Sequence, residues 1–224
     1  MIWKIKRIKQ GPGSSRSQGV FLTLLAGLYM LSGQAIAQPE DTTMNQGRLE
    51  QAILAGGCFW CLESDMDRLP GVVETISGYT GGHKLDPSYK EVSAGGTGHT
   101  ESVRVTFDPA RISYAQLLDA FWHSIDPTTR DSQFCDHGNQ YRTAIFYLNA
   151  SQKTAAVDSR TQLETSKPFK AAIVTEINPA DTFYPAEEYH QNYYQKNPLR
   201  YRFYRYNCGR DRRLEELWGQ APEH

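Results

Sequence analysis

The feature that most constrains this chain is a pair of adjacent glycines between an apolar segment and a helix-like segment. Residues 51–55 are short and apolar and predict a β-strand, whereas residues 58–68 predict a helix. Gly56 and Gly57 therefore indicate a sharp strand-to-helix turn, which places Cys58 where the helix begins. Unpaired backbone N–H groups and the helix dipole favour a thiolate at that point. Cys58 is thus a candidate nucleophile rather than a packing residue.

Strand-like and helix-like segments also alternate through the rest of the chain. Four further strands are predicted, at residues 72–79, 100–107, 141–148 and 171–177. A second helix begins at Ser113, which can form a capping box with Gln116, and a third covers residues 150–165. The order strand, helix, strand, strand, helix, strand is that of a ferredoxin-like split βαβ core. We therefore expect an α/β (α+β) fold, a two-layer sandwich with one added helix and strand.

Three stretches do not fit regular elements, namely residues 83–98, residues 128–140 and the C-terminal tail, residues 201–218. Loops of such length inside a compact domain are commonly functional, so we expect them to gather near the Cys58 turn. The last part of the chain interleaves arginines with tyrosines, a pattern that predicts a solvated terminal segment rather than an anion site. These arginines are Arg200, Arg202, Arg205, Arg210, Arg212 and Arg213.

Glu101 is the second residue with a chemical implication. In the alternating strand 100–107 it falls on the same face as Val103 and Val105. Desolvation on such a face raises the pKa of a carboxyl group, which would keep it protonated near neutral pH and make it a general acid. The alternative is a glutamate at the strand end that reaches solvent.

The N-terminus has the features of an export signal, residues 1–37. Five basic residues and no acidic one precede or flank an apolar run, residues 20–31, and Ala35-Ile36-Ala37 forms a cleavage motif. Residues 38–50 then predict a flexible leader and residues 51–219 a single catalytic domain. We expect the mature protein to be exported, and to be periplasmic if the cell has an outer membrane. It would then have no stable membrane association. The alternative is that residues 1–37 remain as an uncleaved membrane anchor. Cleavage would remove five basic residues and leave 19 basic and 25 acidic residues, so the mature chain would have a negative net charge. Nothing in the sequence indicates nucleic-acid binding.

Four cysteines are present: Cys58, Cys61, Cys135 and Cys208. In an oxidising compartment an even number often forms a disulfide framework, which suits Cys135 better than Cys58. A structural bridge does not need two glycines and the beginning of a helix.

Three motifs together carry a family resemblance: Gly57-Cys58-Phe59-Trp60, Gly98-His99-Thr100-Glu101, and residues 136–142 (Asp-His-Gly-Asn-Gln-Tyr-Arg). From about Ala52 to Trp218 the chain closely resembles the peptide methionine sulfoxide reductases of the A type. The resemblance implies reduction of free and peptide-bound methionine S-sulfoxide without a metal or organic cofactor. It also implies recycling by a thioredoxin-like protein. We expect a monomer.

The resemblance also implies roles for individual residues. Cys58 matches the nucleophile and Glu101 the acid that protonates the sulfoxide oxygen. The other matching positions would form the substrate pocket: Phe59 and Trp60 as walls for the methyl group, Tyr89 and Tyr141 as hydroxyls that bind the oxygen, Asp136 as a polar pocket residue, and His190 as a residue near the site.

The resemblance does not decide which cysteine resolves the Cys58 sulfenic acid. Cys208 precedes Gly209 near the C-terminus and fits a recycling cysteine in a mobile tail, and it is the favoured partner. Cys61 follows Cys58 at a C-x-x-C spacing, so a direct bridge is also possible. Cys135 departs from the family pattern and is open as a free thiol, a structural partner or a further relay.

Three other functions compete with this interpretation. A thioredoxin-like dithiol oxidoreductase would use Cys58 and Cys61, but would leave Glu101 without a role. A disulfide-stapled binding module would hold Cys58 in a permanent bridge. A zinc site would find only half of its ligands at Cys58 and Cys61.

Overall fold

A computed structural model describes residues 48–219 of the chain. The strands in this part are β1 (Glu50–Gly56), β2 (Val72–Thr80), β3 (Thr100–Phe107), β4 (Ser132–Gln133), β5 (Asp136–His137), β6 (Thr143–Tyr147), β7 (Glu176–Pro179) and β8 (Tyr184–Pro185). The helices are α1 (Phe59–Asp67), α2 (Tyr89–Ala94), α3 (Tyr114–His123), α4 (Ala150–Ser166), α5 (Tyr193–Lys196), α6 (Pro198–Cys208) and α7 (Arg210–Trp218). The predicted signal, residues 1–37, and most of the predicted leader lie outside the described residues.

The sheet confirms the predicted core. Its strand order is β7-β6-β1-β3-β2-β8, and the four inner strands β6, β1, β3 and β2 are antiparallel to one another. That arrangement, with α1 and α3 as the crossing helices, is the split βαβ fold. Strand β7 adds parallel to β6 at one edge, and β8 adds antiparallel to β2 at the other. Strands β4 and β5 form a separate small hairpin.

The main hydrophobic core lies between one face of the sheet and helices α1, α3 and α4. It contains Val103 and Val105 of β3 and an apolar stripe of α3 that includes Leu117, Leu118 and Phe121. A second, smaller cluster covers the opposite face, where Phe183 packs against Ile53 and Phe146. Both faces of β3 are therefore buried, including its serine and threonine side chains.

The long segments contain more regular structure than their composition predicts. Helix α2 lies inside residues 83–98, where Ser88 and Glu91 form a complete capping box. Strand β7 begins at Glu176, five residues after the predicted start of that strand. The C-terminal tail is helical, with Gly209 in a left-handed conformation (φ 70°) between α6 and α7. The prediction of an irregular tail is therefore wrong.

The prediction of a solvated arginine segment is also wrong for two of its members. Arg205 is 5% exposed and Arg210 is 1% exposed. Each is paired with buried acceptors: Arg205 lies 2.8 Å from Asp65, and Arg210 donates to the carbonyl oxygens of Gly56 and Ser124. A buried guanidinium needs such partners. Arg205 therefore holds α6 against α1, and Arg210 holds α7 against the turn that precedes Cys58. Within residues 48–219, none of the helices combines the length and apolar character that a membrane span requires.

Candidate active site

The strand-to-helix turn is built as predicted. Strand β1 ends at Gly56, and Cys58 is the residue that precedes α1, where its carbonyl oxygen accepts the first hydrogen bonds of the helix. Gly57 has a φ of 81°, and a Cβ at this position would overlap the side chain of Gln133. Glycine is therefore required here, both for the left-handed backbone and for the close approach of β4. As a result the β4–β5 hairpin packs directly on the turn.

A small cavity of about 70 Å³ opens beside Cys58. Eight residues from five separate parts of the chain line it: Cys58, Phe59, Trp60, Tyr89, Glu101, Asp136, Tyr141 and Tyr204. The predicted gathering of the two long loops and the tail around the turn is confirmed. Seven of these eight residues are predicted site residues, and Tyr204 is the addition.

Glu101 lines this cavity and is 2% exposed. Its Oε2 accepts a hydrogen bond of 3.0 Å from the backbone N–H of Phe59. Burial raises the pKa of Glu101 to about 8, although the Phe59 hydrogen bond acts in the opposite direction. The predicted burial of this carboxyl group is confirmed, and desolvation outweighs the one hydrogen bond in the direction of its pKa shift.

Two phenols and two aromatic rings complete the wall. Burial raises the pKa of Tyr89 to about 12 and raises the pKa of Tyr141 further, so both remain hydrogen-bond donors at neutral pH. Phe59 is fully buried, and its ring lies next to those of Trp60 and Tyr89. The cavity therefore combines an apolar wall with hydroxyl donors and one carboxylic acid.

His190 acts behind the cavity wall rather than on it. Its Nδ1 accepts a 3.0 Å hydrogen bond from the indole N–H of Trp60, and Tyr193 stacks on the Trp60 ring at 3.8 Å between centroids. Burial lowers the pKa of His190, which keeps the ring neutral and able to accept. Its predicted place near the site is correct, but it orients Trp60 and does not line the cavity.

Asp136 and Tyr204 both line the cavity and are hydrogen-bonded to each other. The Tyr204 hydroxyl donates a hydrogen bond to Oδ2 of Asp136, and its ring meets Trp60 edge-on at 5.8 Å between centroids. Burial raises the pKa of Asp136. The sequence offered one signal for Tyr204, its position one helical turn before Cys208, and that signal has meaning only once α6 is known.

The cysteines are paired in one of the ways that the sequence left open, with Cys135 in a disulfide and Cys58 free. Cys208 is disulfide-bonded to Cys135, whereas Cys58 and Cys61 are buried free thiols. Cys208 lies at the end of helix α6, so the expected irregular tail is replaced by regular structure at this cysteine. Cys61 is the thiol within hydrogen-bond contact of Cys58.

The hydrogen bond between the two free thiols shifts their pKa values in opposite directions. Burial, followed by the hydrogen bond that Cys58 donates to Cys61, raises the pKa of Cys58. The same hydrogen bond lowers the pKa of Cys61 against the effect of burial, and the charges of Arg210 and Arg205 add to it. The helix dipole alone predicts a thiolate at Cys58, but desolvation is the larger effect in this structure.

A nucleophilic thiol, a protonated carboxyl group and two phenols around a small aromatic-walled cavity define a thiol-dependent oxidoreductase that acts on a small polar group. The peptide methionine sulfoxide reductase family matches residues 50–222 of this chain. The chain belongs to that family, in its A type, and is a methionine sulfoxide reductase.

Individual relatives agree with this assignment. An MsrA from Listeria monocytogenes serotype 4b is 49% identical over 78% of this chain and 99% of its own length. A fused MsrA/MsrB protein from Vibrio cholerae is 48% identical over 88% of this chain, which spans 52% of that longer protein. Two solved structures are also similar: reduced Mxr1 from Saccharomyces cerevisiae (TM-score 0.64, 34% identity, 68% of this chain and 88% of that one) and MsrA from Corynebacterium diphtheriae (TM-score 0.61, 33% identity, 69% and 77%).

Proposed function

We propose that Cys58 attacks the sulfur of methionine S-sulfoxide while Glu101 protonates the oxygen. The observation that carries this assignment is the position of a buried carboxyl group, with a pKa of about 8, in the same small cavity as the Cys58 thiol. A sulfoxide oxygen is a poor leaving group until it is protonated. A carboxylic acid that keeps its proton at neutral pH can donate that proton to the sulfoxide oxygen while the thiol attacks the sulfur.

The wall of the cavity suits the substrate's methyl sulfinyl end. Phe59 and Trp60 offer an apolar surface for the methyl group, and the hydroxyls of Tyr89 and Tyr141 can donate to the oxygen. His190 and Tyr193 hold the Trp60 ring in place. Asp136 and Tyr204 close the remaining side and position polar groups around the oxygen.

The first half-reaction balances without an external reductant. The Cys58 thiol and the sulfoxide give methionine and Cys58 sulfenic acid, with the oxygen transferred to the cysteine sulfur. A second thiol then condenses with the sulfenic acid to a disulfide and releases water. Because Cys208 is already bonded to Cys135, we assign this step to Cys61, which contacts Cys58 directly. A dithiol protein of the thioredoxin class would restore the thiols.

The physiological setting is part of the same proposal. The features of residues 1–37 support export and cleavage near Gln38, and the mature enzyme would act as a monomer on free methionine sulfoxide and on exposed oxidised methionines of proteins. N-terminal sequencing of exported protein tests the cleavage. An intact Met1 on that protein would contradict it.

The activity is tested with separate S- and R-sulfoxides of a blocked methionine, with dithiothreitol as the reductant. We expect turnover of the S-epimer alone and none with Cys58→Ser. Turnover of the R-epimer at a similar rate would contradict the assigned stereochemistry. Activity in Cys58→Ser would contradict the nucleophile.

A thioredoxin-like exchange function is the second candidate, since Cys58 and Cys61 stand at the beginning of a helix. The two thiols are only 7% and 2% exposed, however, and the cavity beside Cys58 is lined by an acid and phenols that sulfoxide reduction uses and disulfide exchange does not. Insulin reduction measures this function directly. We expect it to be negligible beside sulfoxide reduction.

A further inference from the structure

A second buried carboxyl group, that of Glu63 in helix α1, lies behind the cavity wall. Its side chain is 0% exposed, and it does not line the cavity. Glu63 follows Trp60 by three residues, so the two side chains share one face of α1. A glutamate is almost never fully buried unless it has partners, and the proposed reaction does not use this one. The groups around Glu63 therefore indicate what it does.

The contacts of Glu63 lie in strand β2 and in the segment that precedes α5. Burial raises the pKa of Glu63 to about 7, although the backbone N–H groups of Asn192 and Tyr193 and the hydroxyl of Ser77 approach the carboxyl group and act in the opposite direction. These contacts are loose, because neither carboxyl oxygen has a partner of full hydrogen-bond geometry among the described residues. The carboxyl group therefore changes charge close to neutral pH.

The turn at Asn192 needs an acceptor of this kind. Asn192 has a left-handed backbone (φ 53°), which is uncommon for a residue other than glycine. Before it, Gln191 fixes the chain to β2 through hydrogen bonds with the backbone N–H and carbonyl groups of Ser77. After it, the N–H group of Tyr193 opens α5 and has no acceptor within that helix. The carboxyl group of Glu63 is the acceptor that faces this N–H group.

The same segment determines the position of Trp60. His190 accepts the hydrogen bond from the Trp60 indole, and the Tyr193 ring stacks on Trp60 at 3.8 Å between centroids, with 8° between the ring planes. Trp60 lines the cavity, where it offers an apolar surface to the substrate's methyl group. A displacement of the turn at Asn192 would therefore displace the wall that the substrate touches.

We propose that Glu63 is a positioning residue for substrate binding. Its carboxylate holds the Asn192–Tyr193 turn against α1. Through His190 and the stacked ring of Tyr193, this turn keeps the Trp60 ring beside the methyl group of the sulfoxide. The inference rests on the proposed function and deepens it, because Trp60 meets a methyl group only in that function.

The ionised form of Glu63 should hold the turn better than the protonated form. A carboxylate accepts charge-assisted hydrogen bonds from N–H groups, and these are about twice as strong as bonds between neutral groups. The other titratable groups near Glu63 are Asp67, one turn further along α1, and Tyr194, whose hydroxyl donates to Asp67. Burial raises the pKa of Tyr194 and lowers that of His190, so both stay neutral above pH 7. Substrate binding should therefore improve as the pH rises through about 7.

The rate of the first turnover in Glu63→Gln tests the positioning role. Glutamine keeps the size of the side chain but cannot carry its charge. The enzyme is reduced with dithiothreitol, desalted and mixed with increasing concentrations of blocked methionine S-sulfoxide, so that recycling does not enter the rate. The half-saturating concentration should rise about fivefold, and the maximal rate should stay within about twofold of the wild type, because the wall binds substrate and transition state alike.

The pH dependence of the same measurement separates positioning from a general structural role. In the wild type, the half-saturating concentration should fall about threefold between pH 6 and pH 8, whereas in Glu63→Gln it should stay constant. Asp67→Asn is the matched control, because Asp67 lies on the same helix and bonds to Tyr194 rather than to Tyr193. This control should keep the half-saturating concentration of the wild type.

A double variant tests whether Glu63 acts through Trp60. In a Trp60→Ala background, Glu63→Gln should raise the half-saturating concentration no further, because the ring that the turn positions is absent. A full fivefold rise in that background would show that Glu63 acts by another route.

The outcomes separate the inference from the proposed function. An unchanged half-saturating concentration in folded Glu63→Gln, or an equal rise in Asp67→Asn, would overturn the role of Glu63. A wild-type value that is constant between pH 6 and pH 8 would also overturn it, and this measurement decides the matter if Glu63→Gln does not fold. A wild type that forms no methionine would instead refute the proposed function.

Discussion

Glu101→Gln should inactivate the enzyme and yet stabilise it at alkaline pH. Glutamine has nearly the same shape as a protonated glutamic acid and can accept the Phe59 N–H hydrogen bond, but it has no proton to give to a sulfoxide. Removal of a general acid commonly lowers the rate by about 10²–10⁴-fold. We expect a fall of that order in kcat/KM for the S-sulfoxide.

The stability effect follows from the raised pKa. Folding changes the pKa of Glu101 from an ordinary value of 4.5 to about 8. Between these values the native state holds a proton that the unfolded state has released, so the wild type loses stability as the pH rises through this window. Each pKa unit corresponds to about 1.4 kcal/mol, which makes the loss on the order of a few kcal/mol by pH 8. Glutamine does not ionise and avoids this loss.

The assay is denaturant unfolding of both proteins at pH 5 and pH 8.5, together with kcat/KM. The two proteins should have similar stability at pH 5, and the variant should be more stable by a few kcal/mol at pH 8.5. In the wild type, kcat/KM should fall as the pH rises above about 8, because Glu101 then lacks its proton. A stability difference that does not depend on pH, or near-wild-type activity of the variant, would refute the reasoning.

Three further substitutions test other parts of the site. Cys61→Ser, with the Cys135–Cys208 disulfide intact, should let the Cys58 sulfenic acid persist after one turnover. Dimedone labelling with mass spectrometry would detect this acid. Rapid formation of a Cys58–Cys208 disulfide would instead identify Cys208 as the resolving thiol. Tyr204→Phe removes the hydrogen bond to Asp136 and should lower kcat/KM about tenfold or less, while an unchanged value would show that this bond is dispensable. Gly57→Ala should destabilise the fold by about 2 kcal/mol or more in urea unfolding, because it adds overlap with Gln133 to backbone strain. Gly96→Ala has the same sign of φ and no atom within 4 Å of the added Cβ, so an equal loss in both variants would contradict the overlap.

Local patterns predicted the parts of the fold that depend on neighbouring residues. Strand β3 runs from Thr100 to Phe107 as its alternation indicates, and Ser113 caps α3 through Gln116. Helices α6 and α7 were not predicted because their stability comes from distant partners. Arg205 and Arg210 look like surface residues until Asp65 and the carbonyl oxygen of Gly56 are seen beneath them.

Some chemical features of the site could likewise be predicted from the sequence, and others could not. The two glycines before Cys58 predict the turn, and the alternation of β3 places Glu101 among valines. A nucleophile and a buried acid can therefore both be predicted from the sequence. The raised pKa of Cys58 cannot, because burial and the adjacent thiol outweigh the helix dipole.

By itself, the sequence determined the split βαβ core and the glycine turn, since these depend on periodicity and local backbone conformation. Its three motifs carried the resemblance to the methionine sulfoxide reductases. Only the tertiary structure decided which cysteines pair, because disulfide bonding depends on the distance between chain segments and not on their separation in sequence. Cys135 and Cys208 are 73 residues apart, yet the β4–β5 hairpin and α6 bring their Cα atoms to 4.9 Å. That approach leaves Cys61 as the free thiol beside Cys58.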